Sequence, residues 1–371
     1  MSSKKNTLGV VAGAAFAVAL TLPGLALATE WQCQGGRLLV DIGNGAGLTD
    51  LAAMDEATWN AVGTGYSFPQ FVSSLNEASR LLCASTAAAR TTQLRSSAGQ
   101  TVGLLSQRAA GTVRSLRSSA NTTAQMNGTL TGLSAGSAAG KTGVWANYDH
   151  TRTGDDVAGV DTKLNNFVLG GDYKVMSKLA VGAALSYQET DPSLASSDSV
   201  AWTVAPYAAY LINDNMSVDA VAGYTWLDTD SPLGGGYDTR RYFVASNLNA
   251  FTTDLEQWEI GGHVGFMFAK DDIDSYQGAA QNDISFLQAK TGIETAYSVT
   301  KGIQPYLNLD YEQDLVYEAN PGTYDDAGFV SGLGVRFDLP SSLLGELRYG
   351  KTYGRKNFEQ DALTANLRMN F

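Results

Sequence analysis

Residues 362–371 read ALTANLRMNF, and the parity of that stretch decides the fold. Leu363, Ala365, Leu367, Met369 and Phe371 fall on one side of the alternation. Thr364, Asn366, Arg368 and Asn370 fall on the other. A period of two is the signature of a strand with one apolar and one polar face. A loose tail has no use for that pattern, so the segment is expected to be a strand.

The same alternation recurs upstream. Twelve candidate strands can be marked: 142–150, 164–174, 178–188, 199–211, 215–226, 239–250, 256–269, 284–297, 301–313, 327–338, 342–353 and 360–371. In WEIGGHVGFMF, Trp258, Ile260, Val264, Phe266 and Phe268 oppose Glu259, Gly261, His263 and Gly265. In IQPYLNLDYE, Ile303, Leu307, Leu309 and Tyr311 oppose Gln304, Asn308, Asp310 and Glu312. The 239–250 and 284–297 segments alternate less well. Pro206 and Pro305 fall inside candidate strands and cannot donate to a ladder, so each is expected to mark a bulge or a boundary. Short connections (VMS, NDN) take turns with long acidic ones such as TRTGDDVAGVDTK and DTDSPLGGGYDTR.

Alternation alone fits a soluble sandwich as well as a membrane barrel. Four features favour the barrel. The strand number is even, and short turns alternate with long loops. Aromatics gather at strand ends (Tyr148, Tyr187, Tyr210, Trp226, Tyr297 and Phe371), where an interfacial girdle sits. An export signal also opens the chain. Hydrocarbon tolerates no unpaired sheet edge, so the last strand must then pair with the first. The expected fold class is all-β: a 12-stranded antiparallel transmembrane β-barrel with a lumenal α-helix and a small, mainly helical N-terminal region.

The export signal occupies residues 1–28. Lys4 and Lys5 precede the apolar VVAGAAFAVAL, and Ala26, Leu27 and Ala28 form a small-residue cleavage site. No later apolar run approaches the ~18 residues of a spanning helix. The chain has 371 residues, with 37 acidic against 25 basic, a balance that excludes the basic footprint of a nucleic-acid binder. Residues 29–90 mix a turn-rich stretch with the helical-looking DLAAMDEATWNAV and SFPQFVSSLNEASRLLCASTAAAR. Cys33 and Cys83 are the two cysteines. An isolated pair in an exported protein is expected to form a disulfide. Two thiolates without a nearby His fall short of a closed zinc site.

Residues 91–140 are rich in Ala, Ser, Thr, Gly and Leu, and no acid occurs between Glu77 and Asp149. Such a segment is either a flexible linker or a helix that sits somewhere narrow and negatively charged. No catalytic, cofactor-binding or metal-binding residue is assigned, and no cofactor is expected. GLSAG (132–136) matches a nucleophile elbow only in its spacing, because no strand precedes it and no triad His accompanies it. GNGAG (43–47) lacks the Lys-Ser/Thr pair of a phosphate loop. His263 is expected to line the lumen as a polar residue.

The stretches GVWANYDHT (143–151), FVLGGDYKVMSKLAVGAALSYQ (167–188), VAPYAAYLI (204–212), VDAVAGYTWL (218–227) and the terminal LTANLRMNF together resemble an autotransporter (type V secretion) β-domain. The resemblance covers about residues 91–371. It implies an outer-membrane translocator, expected to have no enzymatic activity because the residues offer no catalytic set, and divides the chain into signal peptide 1–28, short passenger 29–90, linker and lumen-spanning helix 91–140, and barrel 141–371. It places Arg108, Arg114 and Arg117 in the lumen against acids such as Asp219, Glu259, Asp310 and Glu312. It makes Leu367, Met369 and Phe371 the assembly signal read by the outer-membrane barrel assembly machinery. Outer-membrane lipid is the other implied partner, the barrel is expected as a monomer, and the passenger's own partner is not indicated. The passenger is far smaller than in large members, and the Asn-Asn pair of self-cleaving members is missing around Asn127. The alternative is a porin-like channel whose N-terminal region stays periplasmic or plugs the bore.

Overall fold

A computed structural model describes residues 30–34, 37–41 and 48–50, then 94–109, 111–112 and 116. It also describes residues 141–371 apart from 157–159, 193–197, 231–235, 253–256, 275–282, 301, 318–324 and 340–342. They fall into two units.

In the first unit, β1 (Glu30–Gln34), β2 (Arg37–Asp41) and β3 (Leu48–Asp50) form an antiparallel sheet in the order β1-β2-β3. Gly35 and Gly36 stand between Gln34 and Arg37, which pair across the hairpin. Gly-Gly between two short runs is a hairpin signal, and here it decides for strand where a mainly helical region was expected. The helical-looking segments within residues 51–90 lie outside the described residues, as do the signal peptide and Cys83. Cys33 lies on β1 opposite Leu38.

The second unit is a closed barrel of twelve strands, each antiparallel to its neighbours. They are β4 (Thr142–Asp155), β5 (Val160–Met176), β6 (Leu179–Pro192), β7 (Ser199–Asn213), β8 (Met216–Asp230), β9 (Gly236–Phe251), β10 (Trp258–Ile273), β11 (Ile284–Tyr297), β12 (Ile303–Tyr317), β13 (Ala327–Leu339), β14 (Leu343–Tyr353) and β15 (Phe358–Asn370). The seam joins β15 to β4, with Leu363 opposite His150 and Arg368 opposite Trp145. Every backbone edge is thereby paired, as hydrocarbon requires.

Each candidate strand is present, and most run several residues further at one end than their alternation indicated. β4 continues through Thr151, Thr153 and Asp155, all buried inward. These polar residues read as loop in sequence because Thr, Gly and Asp favour turns. One end of the barrel has short connections, such as residues 177–178 and 214–215, and the other carries the long ones. Neither proline makes a bulge. Pro206 pairs with Ala183 on β6, and the register with β8 is the same before and after it. Pro305 pairs with Val335 on β13 and stands just past the last β11 pair, Ala296 with Tyr306, where no donor is needed. The bulges lie elsewhere, at Lys174/Met176, Leu211/Asn213 and Leu287/Gln288.

The barrel is inside out relative to a soluble protein. Leu309, Leu333, Leu363 and Phe266 are half-exposed on the outer face, while Asn308, Asp310, Thr364 and Arg368 are buried. Aromatic pairs belt the outside: Tyr187 with Trp202 at 4.9 Å, Tyr224 with Trp226 at 4.5 Å, and Trp258 with Tyr297 at 4.8 Å.

Residues 94–109 form helix α1, with 111–112 and 116 also helical, and it lies inside the bore. About 19 residues at 1.5 Å each span roughly 28 Å, near the hydrocarbon thickness. Leu94, Ala98, Val102, Leu104, Leu105 and Ala109 are buried in one apolar cluster with wall residues of β4–β11. This explains the weak alternation of β9 and β11. Phe243, Ile284 and Phe286 are large apolar residues on the lumen parity because they pack in the cluster that holds α1.

Candidate functional site

The lumen has an apolar half, taken by α1, and a charged half along β10–β14. The polar side of α1 is fixed to the wall turn by turn. Ser96 Oγ meets Thr153 Oγ1 at 3.2 Å, and Gln188 Nε2 donates to Ser97 Oγ at 2.7 Å. Gln100 Nε2 donates to Asp149 and, at 3.0 Å, to Thr151 Oγ1. Asn166 Nδ2 donates to Thr101 Oγ1 at 3.2 Å. Arg241 on β9 grips Asp271 through two bonds of 2.7 and 2.9 Å and turns its third nitrogen to Ser97.

These contacts also set the direction of the helix. Arg95, at the first turn, forms an ion pair of 3.1 Å with Asp314 and lies 4.4 Å over the ring of Phe358. Asp314 and Phe358 stand at the end of the barrel with the long loops. Arg108 and Thr112, at the other end of α1, reach Trp145 and Asp172 near the short turns. The chain thus enters the bore from the long-loop end and leaves toward the short-turn end, where β4 begins.

The sequence-predicted lumen charges separate. Arg108 is buried inside, but its guanidinium rests 5.1 Å from the Trp145 ring centroid, and its Nε and Nη2 meet no hydrogen-bond acceptor among the described residues. Arg114 and Arg117 lie outside the described residues. Asp219, Asp310 and Glu312, among the acids expected to meet them, contact wall residues. Asp219 accepts from Asn247 and Asn249 at 2.8 Å each. Asp310 faces His263 at 3.3 Å and Lys290 at 3.1 Å. Glu312 faces Lys290 and Arg355, each at 3.4 Å. Glu259 is buried on the lumen face of β10.

Among the described residues of α1, Arg95 is the cation that forms an ion pair with an acid, and period-two parity could not single it out because a helix presents its side chains on a period of 3.6. Arg241 was within reach of the sequence. It shares lumen parity with Thr239 and Ala245. Leu367, Met369 and Phe371 lie on the outer face, at the short-turn end.

Beside α1 a cavity of about 310 Å³ persists, lined by Gly99, Gly103 and Gln107 on the helix and by His263, Lys290 and Arg348 on the wall. On the same lining, Arg336 holds both oxygens of Glu294 at 2.8 Å and lies 4.0 Å over Tyr306, whose hydroxyl donates to Glu346. Opposed charges of this kind make the slot polar and, among the described residues, narrow it beside α1. Among the described residues no group of three or more His, Cys, Asp or Glu side chains is placed to hold a metal ion.

Because Asp314 also holds Arg355 at 2.7 Å, losing Arg95 leaves that acid paired. Arg95→Gln is therefore expected to weaken helix docking by about 1.5–3 kcal/mol, the range for a hydrogen bond to a charged group, without unfolding the barrel. Single-channel recording in planar bilayers checks this. The variant should open at least tenfold more often, and an unchanged open fraction would remove Arg95 from the docking contacts.

A family model for the autotransporter beta-domain matches residues 140–338. Two solved structures share the barrel fold. The β-domain of the Bordetella autotransporter BrkA aligns over 62% of this chain and 100% of its own at 16% identity, with a TM-score of 0.53. The translocator domain of the autotransporter NalP from Neisseria meningitidis aligns over 76% of this chain and 99% of its own at 13% identity, with a TM-score of 0.52. Among curated proteins compared by sequence, none matches.

Proposed function

The chain belongs to the autotransporter family through its β-domain, and from that premise we propose that this outer-membrane barrel exports its own N-terminal segment and displays it at the cell surface. The observation that carries the reading is the direction of α1. In outer-membrane barrels the short turns face the periplasm and the long loops face outward. With Arg95 at the long-loop end, α1 begins on the outer side of the bore, the end from which an exported N-terminal segment would continue. The wall then serves as a polar passage, and α1 remains in it afterwards as anchor and plug. No chemistry is required of the barrel or of α1. A Cys33–Cys83 disulfide would stabilise the exported segment by roughly 4 kcal/mol on the chain-entropy model. Leu367, Met369 and Phe371, outward on the final strand, are the residues offered to the barrel assembly machinery, and the folded barrel acts as a monomer.

An epitope inserted after Ala28-Thr29 tests the reading. Protease added to intact cells is expected to remove the epitope and leave a protected fragment that begins close to residue 91. An epitope that survives until the cells are lysed would place the segment in the periplasm and favour the plugged channel.

A further inference from the structure

Near the short-turn end, one carboxylate gathers side chains from three elements. Asp172 on β5 stands between two glycines, Gly143 on β4 and Gly182 on β6, each its partner in register. Neither glycine position has room for a methyl group. At Gly143 the space belongs to the Arg368 guanidinium, and at Gly182 to the Tyr207 ring. Arg368, on β15, reaches across β4 to make two bonds of 2.7 Å to Asp172. Tyr207, on β7, reaches across β6 and donates to Asp172 Oδ2 at 3.0 Å. Arg368 and Asp172 are both buried, at 4% exposure each. The result is a strap over five strands, β15-β4-β5-β6-β7, laid across the seam where the barrel closes.

The helix is fastened to the same strap. The Thr112 hydroxyl stands 3.0 Å from Arg108 O on its own helix and 3.4 Å from Asp172 Oδ2, and its one proton is shared between them. Trp145 lies over Gly170, which has no side chain to obstruct it, and donates its Nε1–H to the Tyr207 hydroxyl at 2.9 Å. Arg108 then rests on the Trp145 ring. Burying a carboxylate is costly unless its oxygens are hydrogen-bonded, so each donor to Asp172 stabilises the geometry that the others use. Arg368 and Tyr207 orient the carboxylate for Thr112. Arg108 and Thr112 in turn cover the strap from the lumen side and exclude water from it.

We propose that Asp172 is the positioning residue through which closure of the barrel seam and docking of the helix become one event. It acts through Arg368 on the seam and through Thr112 and the Tyr207–Trp145–Arg108 stack on the helix. The proposal rests only on α1 lying in the bore, and holds whatever the exported segment does.

The test uses the full-length protein and two readouts: the fraction of time the channel is open in planar bilayers, and the temperature at which the compact band is lost on unboiled gels. Arg368→Gln alters the seam without touching α1, and Thr112→Val alters α1 without touching the seam. Under the proposal each changes both readouts, with the open fraction rising about fivefold, the effect of one hydrogen bond of ordinary strength. The double variant should open less than the product of the two single effects, because both act through one carboxylate. Contrary outcomes are equally plain: Arg368→Gln shifting only the gel temperature, Thr112→Val shifting only the open fraction, and independent effects in the double. If Arg368→Gln does not assemble, Tyr207→Phe removes only a hydroxyl and is held to the same two readouts.

Discussion

A chain ending after Asn357 should yield no heat-resistant barrel in the outer membrane, although eleven of the twelve wall strands would still be encoded. The missing β15 pairs with β14 from Leu343/Met369 to Lys351/Asp361 and with β4 from Gly143/Asn370 to Asp155/Phe358. Without it, two strand edges face lipid, and each unsatisfied backbone group there costs several kcal/mol. Even a handful exceeds the whole stability of an ordinary domain, roughly 5–15 kcal/mol. The comparison is removal of residues 29–90, which contribute no strand to the closed sheet. That deletion is expected to leave the amount of folded barrel unchanged. Compact-band intensity on unboiled gels of membrane fractions measures both, and a folded band from the first truncation would contradict closure by β15.

The second large effect separates the two parities of β15. Leu367 is 48% exposed in the middle of the outward apolar run from Leu363 to Phe371, whereas Ala362 lines the lumenal cavity. Leu367→Lys sets an ammonium in the middle of that run, against acyl chains, and is expected to cost about 2–4 kcal/mol. Ala362→Lys projects the same group into the polar slot, where the cost should be well under half of that. Denaturant titration in lipid vesicles gives both numbers. Equal losses would mean that the two parities do not see different solvents.

The stretch around these residues was legible from the start, since a period of two survives any error in strand boundaries. Strand number, closure and the outward aromatics came with it. What the alternation hid is the inward apolar set. Phe243, Phe286 and Trp145 break the lumen parity, and each reads as noise until the helix they pack against, or the glycine they cover, is in place. Trp145 over Gly170 and Phe243 over Gly223 are contacts between strands, so they become visible only once the register is known. The small-residue segment could be read as a helix for a narrow bore, yet its contacts could not. Arg95 finds Asp314 more than two hundred positions away, and nothing local distinguishes it from Arg108. The three-stranded sheet was signposted by Gly35-Gly36, a cue outweighed by the helical look of residues 51–90.

Six tryptophans allow the orientation of the wall to be read directly. Single-tryptophan variants, with the other five changed to Phe, would be reconstituted in bilayers of brominated lipid and their fluorescence compared with that in ordinary lipid. Trp202 and Trp258 are half-exposed on the outer face, and Trp145 is 2% exposed inside. Strong quenching of Trp202 and Trp258 with Trp145 unaffected is the expected result. Quenching of Trp145 as deep as that of Trp202, or none at any of the three, would contradict a barrel whose apolar parity faces lipid and whose polar parity encloses a helix.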